Sequence, residues 1–431
     1  MDENSQIKLT NDLKKISKKT VNFDRKNKSI NSKVKNLVNK TISKFYSKNE
    51  NAIKHININD KQKSKKQRNP GIDLYRLIAM YGVVMNHLLY VHGADKKYPR
   101  YSRYLKIIHI LTGWHNNGFA LISGIVGYKS CGYANLIYLW LYVEFYTLGI
   151  PLYYKYIKKD QDITAFYIKD KFPIIFNKYW YFTAYFGISI FLPIVNKGIS
   201  IISRFQFTLV VIGSIGLFVI WRDIQNPQVD VFKMNYGMSF SWVFTLYFTG
   251  AYIGKYNAVY KGFKKYIFCI ICAFIFLYSN YLYYKVLNNE LDLGNGYYQR
   301  KIIEFLKINF TDRYDGLLKI TTSITAALFF MQIHYNKYIA KFLSILGPLV
   351  FSVYIIHENN YIKNKILFQH TFEHDPVDLS LKSAMILVLL KGLKICFYCM
   401  IIDYFRNLLF SILKIKQICV FLENRINRIF S

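Results

Sequence analysis

Asp73, Arg76 and His87 share one apolar run, R-N-P-G-I-D-L-Y-R-L-I-A-M-Y-G-V-V-M-N-H-L-L-Y-V-H from Arg68 to His92, which is long enough to cross a bilayer. An ionisable group in hydrocarbon is costly, so all three should face a protein interior or a watery cavity. Arg76 and His87 lie eleven positions apart. On an α-helix that is three turns plus about 20°, with about 16 Å of rise, so both side chains leave one face. Asp73 precedes Arg76 by three residues on nearly the same side and can pair with it. One helix thus offers a permanent planar cation able to hold an anion, and an imidazole able to take and return a proton near neutral pH.

Other polar groups interrupt apolar sequence further on. Glu144 falls within Y-A-N-L-I-Y-L-W-L-Y-V-E-F-Y-T-L-G-I, where either a hydrogen bond to a neighbouring helix or a part in proton handling would account for it. His357 and Glu358 end the run L-G-P-L-V-F-S-V-Y-I-I-H-E-N-N. The stretch W-H-N-N-G-F-A-L-I-S-G-I-V-G-Y carries Asn116, Asn117 and Ser123 beside Gly118, Gly124 and Gly127. A close helix contact explains the glycines, but explains His115, Asn116 and Asn117 in succession less well. Six cysteines are too few for a disulfide framework. Cys269 with Cys272, and Cys396 with Cys399, form C-x-x-C pairs inside apolar runs, where cysteine serves as a small packing residue, so no metal site is expected.

A bundle of membrane helices must position these groups. The 431 residues are 52% hydrophobic and 18% aromatic, yet carry a formal charge of +33. Residues 1–71 hold 19 Lys/Arg against 6 Asp/Glu, and the other 360 hold 39 against 19, so the basic excess sits at the front. A nucleic-acid-binding protein could share the pI of about 9.7 but would not carry ten apolar segments of spanning length. Nucleic acid is therefore not an expected partner.

Residues 1–67, rich in Lys, Asn and Ser, cannot bury enough surface to offset ordering entropy and read as a flexible, disordered basic arm. No apolar stretch follows the start, so the arm does not read as a signal peptide. Residues 68–410 read as an all-α polytopic integral membrane bundle of about ten transmembrane helices, at 72–91, 107–128, 133–157, 180–195, 204–221, 236–256, 266–287, 316–334, 342–361 and 384–410. Residues 411–431 read as a basic tail. An even number of spans, with Lys/Arg at both ends, places the N- and C-termini in the cytoplasm, and the plasma (inner) membrane is the expected location. The longest outer loop, 288–315, carries Tyr297, Tyr298, Arg300, Asp312, Arg313 and Asp315. On this topology His87 and His357 each stand fifteen residues past the start of an outward-running span, at one depth in the outer half. That common depth favours a shared site.

These landmarks carry a resemblance. G-I-D-L-Y-R, ten residues and His87 are similar to the first helix of the membrane acyltransferase-3 family, whose members carry Arg or Lys, ten residues, then His. Asn117 to Gly124 is similar to a family phrase joining Asn, Phe and Ser-Gly, and Tyr179 to Asn196 resembles the family's aromatic opening of a span that ends in Pro and Asn. The paired glycines of F-T-G-A-Y-I-G-K-Y resemble another family phrase, and L-G-P-L-V-F-S-V-Y-I-I-H resembles its late L-G-x-x-S/T-x-x-x-Y-x-I-H. The resemblance covers about residues 68–410 and is most specific at the Arg–His spacing and the late Y-I-I-H.

The resemblance implies transfer of an acetyl or other short acyl group from cytosolic acyl-CoA to a hydroxyl of a surface polysaccharide or lipid-linked glycan. Acyl-CoA is then a donor substrate, with no bound cofactor, and membrane lipid is the surrounding partner. In that reaction His87 would act as general base or acyl relay. Arg76 would hold a donor phosphate, about 16 Å from His87 and comparable to an extended pantetheine arm. Asn117 would donate to the developing oxyanion. His357 and Glu358 would shape the acceptor side, and Asp73, Asn116 and Glu144 would be substrate-side or structural polar groups. The competing reading is a transporter or flippase for a lipid-linked sugar, with Asp73, Arg76, Glu144 and the histidines lining a path. No internal symmetry between halves supports it. A scaffold with no small-molecule site would leave the intramembrane ionisable groups unexplained.

Overall fold

Asn69 starts the first described helix, α1 (Pro70–Asn86). Its side chain accepts the Gly71 N–H at 2.9 Å, Pro70 needs no partner at the first helical position, and Asp73 suits the positive end of the helix dipole. The Asn69 amide also donates to the Met331 carbonyl at 3.0 Å, tying the start of α1 to the end of a later helix. A π-turn, His87–Val91, continues α1 to its end.

The computed structural model describes residues 68–159, 172–221, 232–256, 259–288, 313–368 and 371–430. The chain divides into two units, Met1–Arg68 and Asn69–Ser431, and the fold described here is that of the second. The basic arm, 1–67, and the loop residues Tyr297, Tyr298, Arg300 and Asp312 lie outside the described residues.

Every described element is helical. After α1 come α2 (Ser102–Thr112), α3 (His115–Gly127), α4 (Ala134–Leu152), α5 (Trp180–Ile201), α6 (Arg204–Ile215) and α7 (Phe240–Tyr256). They are followed by α8 (Gly262–Leu287), α9 (Leu317–Gln332), α10 (Lys337–Leu346), α11 (Val350–His357), α12 (Leu381–Ile412) and α13 (Ile415–Phe430). Local capping supports several of these. Ser203 and Gln206 form a reciprocal capping box before α6, Asn336 caps α10 through the Ile339 N–H at 2.9 Å, and Ser380 caps α12 through the Ser383 N–H at 3.3 Å.

Seven segments among the described residues are long and apolar enough to cross a membrane, where the sequence pattern suggests ten. The other three differ for identifiable reasons. The span expected at 107–128 is two helices, because Gly113 and Trp114 have ψ of −9° and −6°, far from the helical value of about −42°. The segments expected at 236–256 and 316–334 are α7, of 17 residues, and α9, of 16. Helices of that length rise about 24–26 Å, short of the roughly 30 Å hydrocarbon core.

Helix α1 is the hub, packing against α2, α3, α9, α10, α11 and α12. In the span formed by α1 and its π-turn 56% of the positions are buried, and in Lys337–His357 50%, against 17–28% in the other five. The two most interior spans are thus the two that carry His87 and His357. Helix α3 is clamped to α7 by glycines. A Cβ on Gly124 would land on the Tyr247 carbonyl, and Cβ atoms on Gly250 and Gly254 would land on those of Leu121 and Ile125. Only glycine permits this close crossing, which needs no hydrophobic driving force in lipid.

Candidate active site

Three side chains from α1 and the end of α11 meet. His87 Nδ1 hydrogen-bonds His357 Nε2 at 2.9 Å and lies 2.8 Å from Glu358 Oε1. The second carboxylate oxygen of Glu358 accepts from Lys363 Nζ at 2.9 Å. His357 is almost fully buried, whereas the side chains of His87 and Glu358 retain 24% and 17% exposure. The equal depth expected of the two histidines from their span positions is realised as direct contact between the rings.

The hydrogen bonds fix the tautomers. His357 Nδ1 faces the Val353 carbonyl, which can only accept, so that nitrogen carries the proton and Nε2 presents a lone pair. His87 Nδ1 therefore faces two acceptors and is itself the protonated nitrogen. In the neutral His87 ring, Nε2 is left as the basic nitrogen. Burial works against charge on Glu358, but the neighbouring His87 N–H and the Lys363 ammonium together hold its carboxyl well below the usual range. Glu358 is thus a carboxylate beside the Nδ1–H of His87, a pairing that can fix the orientation of the imidazole.

The pair opens onto a small, partly open cleft. Its wall is mostly aromatic. Trp180 and Tyr181 come from the start of α5, Phe119 from α3, Phe351 and Tyr354 from α11, and Tyr314 from the segment before α9. Trp180 and Tyr314 stack with centroids 6.2 Å apart and planes at 20°. Asn116 is the amide on the cleft wall.

The remaining site candidates are placed differently. Asn117 is buried and its amide is engaged at both ends, donating to the Tyr314 carbonyl at 2.7 Å and accepting from Trp242 Nε1 at 3.0 Å. It does not line the cleft, whereas its neighbour Asn116 does. Arg76 pairs with Asp73 at 3.1 Å, as their spacing suggests, and neither lines the cleft. Glu144 is buried away from it, with Thr147 Oγ1 donating to its carboxylate at 3.4 Å. Arg313 and Asp315 form a buried ion pair at 3.1 Å rather than a solvated loop surface. His115 belongs to a packing network, with its Nδ1 2.5 Å from the Thr112 carbonyl and Asn86 Nδ2 3.3 Å from the ring.

Sequence reasoning missed the aromatic wall, Lys363 and His92. The π-turn makes the His92 N–H donate to the His87 carbonyl at 2.8 Å, bringing His92 one wide turn beyond His87. Burial, and then the charge of His87, push its imidazole down to about 4, and neither ring nitrogen has a hydrogen-bond partner. The ligand-type atoms of His87, His357 and Glu358 lie within 4.8 Å of one another, a spacing that could also take a divalent ion. The C-x-x-C pairs form no such group among the described residues, and Cys272, Cys396 and Cys399 are buried packing residues.

A family model described as "Acyltransferase domain" matches residues 69–402. No curated protein and no solved structure matches the chain.

Proposed function

Because the chain belongs to the acyltransferase-3 family, and so is a membrane acyltransferase, we propose that it moves an acetyl or other short acyl group from cytosolic acyl-CoA to a hydroxyl of a surface polysaccharide or lipid-linked glycan. The observation that carries this reading is the His87–Glu358 pair on the wall of an aromatic cleft. His87 Nε2 takes the acceptor hydroxyl proton as that oxygen attacks the thioester carbonyl. The resulting imidazolium is held by the Glu358 carboxylate. The tetrahedral oxyanion receives an N–H from Asn116, where one placed donor is worth roughly 3 kcal/mol. Collapse breaks the C–S bond, and the departing thiolate takes the proton from His87.

Arg76 is assigned to a donor phosphate. It stands about 16 Å along α1 from His87, so the thioester can reach the base while the charged end of the donor stays at the other end of the helix. The aromatic lining of the cleft, which includes Trp180, Tyr181 and Tyr354, suits the C–H faces of a sugar ring and favours a glycan hydroxyl over a small alcohol. A plasma-membrane location suits a donor inside and an acceptor outside.

The test is isotope-labelled acetyl-CoA presented to membranes containing the chain and its glycan. Label should appear on the glycan as an ester, and His87→Ala, inserted at the level of the parent, should lower that transfer by about 10²–10⁴-fold. Movement of glycan across the bilayer without label would instead identify a transporter.

A further inference from the structure

Helix α12 has 32 residues and rises about 48 Å, against a hydrocarbon core of roughly 30 Å, so its ends reach the headgroup layers. It stops at Leu413–Lys414, where Lys414 takes a left-handed φ of 53° and its N–H returns to the Ser411 carbonyl at 3.1 Å. Helix α13 begins at the next residue. It runs against α4, with Cys419 fully buried and the Glu423 carboxylate accepting the backbone N–H groups of Tyr133 and Ala134, the latter at 3.2 Å. That carboxylate caps the start of α4, which has no side-chain cap from Tyr133.

The rest of α13 is amphipathic. Ile418, Leu422, Ile426 and Ile429, at i, i+4, i+8 and i+11, form one stripe and are 45%, 41%, 47% and 75% exposed. Exposed Lys416, Gln417, Asn424, Asn427 and Arg428 occupy the opposite side together with exposed Val420, and exposed Arg425 lies at the edge of the apolar stripe, about 20° from Ile418. A helix with an apolar stripe, a basic polar face and a start at the end of a spanning helix matches a headgroup layer, not the bilayer core and not water.

We propose that α13 lies in the membrane interface, with the Ile418–Leu422–Ile426–Ile429 stripe in the acyl boundary and Lys416, Arg425 and Arg428 on anionic headgroups, and that Glu423 couples this anchor to the start of α4. The basic residues select the lipid: an anionic surface attracts them, and a neutral leaflet does not. The assignment is independent of the acyl-transfer chemistry.

The test places nitroxides singly at positions 422, 426, 424 and 428 of the full chain, with Cys131 and Cys269, the two native cysteines that are not buried, changed to Ser. The protein is reconstituted in vesicles of phosphatidylcholine with or without phosphatidylglycerol. In anionic vesicles, labels at 422 and 426 should collide several-fold more with oxygen than with a water-soluble nickel chelate, and labels at 424 and 428 should show the reverse. Changing Lys416, Arg425 and Arg428 together to Gln should raise nickel access at 422, as should omission of phosphatidylglycerol. Equal nickel access at all four positions would overturn the proposal, because the helix would then lie in water. Shielding of 422 and 426 from both reagents would overturn it in favour of a second copy covering the stripe, and insensitivity to lipid charge would overturn the anionic selection.

Discussion

Glu358→Gln keeps the shape of the side chain and removes its charge, which makes it the sharpest probe of the site. At 2.8 Å and an effective dielectric of about 20, the carboxylate favours a charged His87 ring by at most about 6 kcal/mol. Two features reduce that ceiling. Lys363 holds the other carboxylate oxygen at 2.9 Å, and the His87 and Glu358 side chains are 24% and 17% exposed, so solvent screens the pair. About 2–3 kcal/mol should remain, a loss of about 30- to 150-fold in kcat/KM. The assay is transfer of labelled acyl groups in proteoliposomes, normalised to folded protein. Activity within twofold of the parent would refute the pairing of base and carboxylate.

The neighbouring amides should separate cleanly. Asn116→Ala should lower kcat by tenfold or more with little change in melting temperature, whereas Asn117→Ala, by orphaning the Trp242 N–H, should destabilise the fold by about 1–3 kcal/mol and leave the turnover of folded molecules nearly intact. Arg76→Ala should raise the KM for acyl-CoA with a smaller effect on the acceptor KM, and an unchanged donor KM would remove Arg76 from the donor site. Dialysis against a strong chelator should leave transfer unchanged, while loss of activity restored by zinc would convert the His87–His357–Glu358 cluster from a proton-transfer site into a metal site.

The long-range order of the site was legible because it follows from helical period and depth. Three residues from Asp73 to Arg76, and equal distances of His87 and His357 into their expected spans, are properties of the one-dimensional chain. The glycines of α3 and α7 were equally readable, since small residues on apolar helices imply close crossing. Adjacent residues on a helix differ by about 100° in direction, and with span 107–128 broken at Gly113–Trp114 no continuous period could decide between Asn116 and Asn117. The aromatic wall was unreadable for another reason. Trp180 and Tyr181 have the composition of any membrane interface, and only the fold brings Tyr314 from the segment before α9 to stack on Trp180. His92 likewise depends on a π-turn that no composition announces.

The glycine seam between α3 and α7 has a consequence for how the cleft can breathe. Backbone pressed on backbone at Gly124, Gly250 and Gly254 leaves no slack between these two rods, so they move as one stiff keel carrying Phe119 and Asn116. Any widening that admits a bulky acceptor must come from the opposite wall, where α5 and α11 meet through interlocked ring edges such as Tyr181 on Tyr354. Rings can slide and rotate past one another by small steps, whereas carbonyls seated on glycine cannot, so the cleft should widen on the side of α5 and α11.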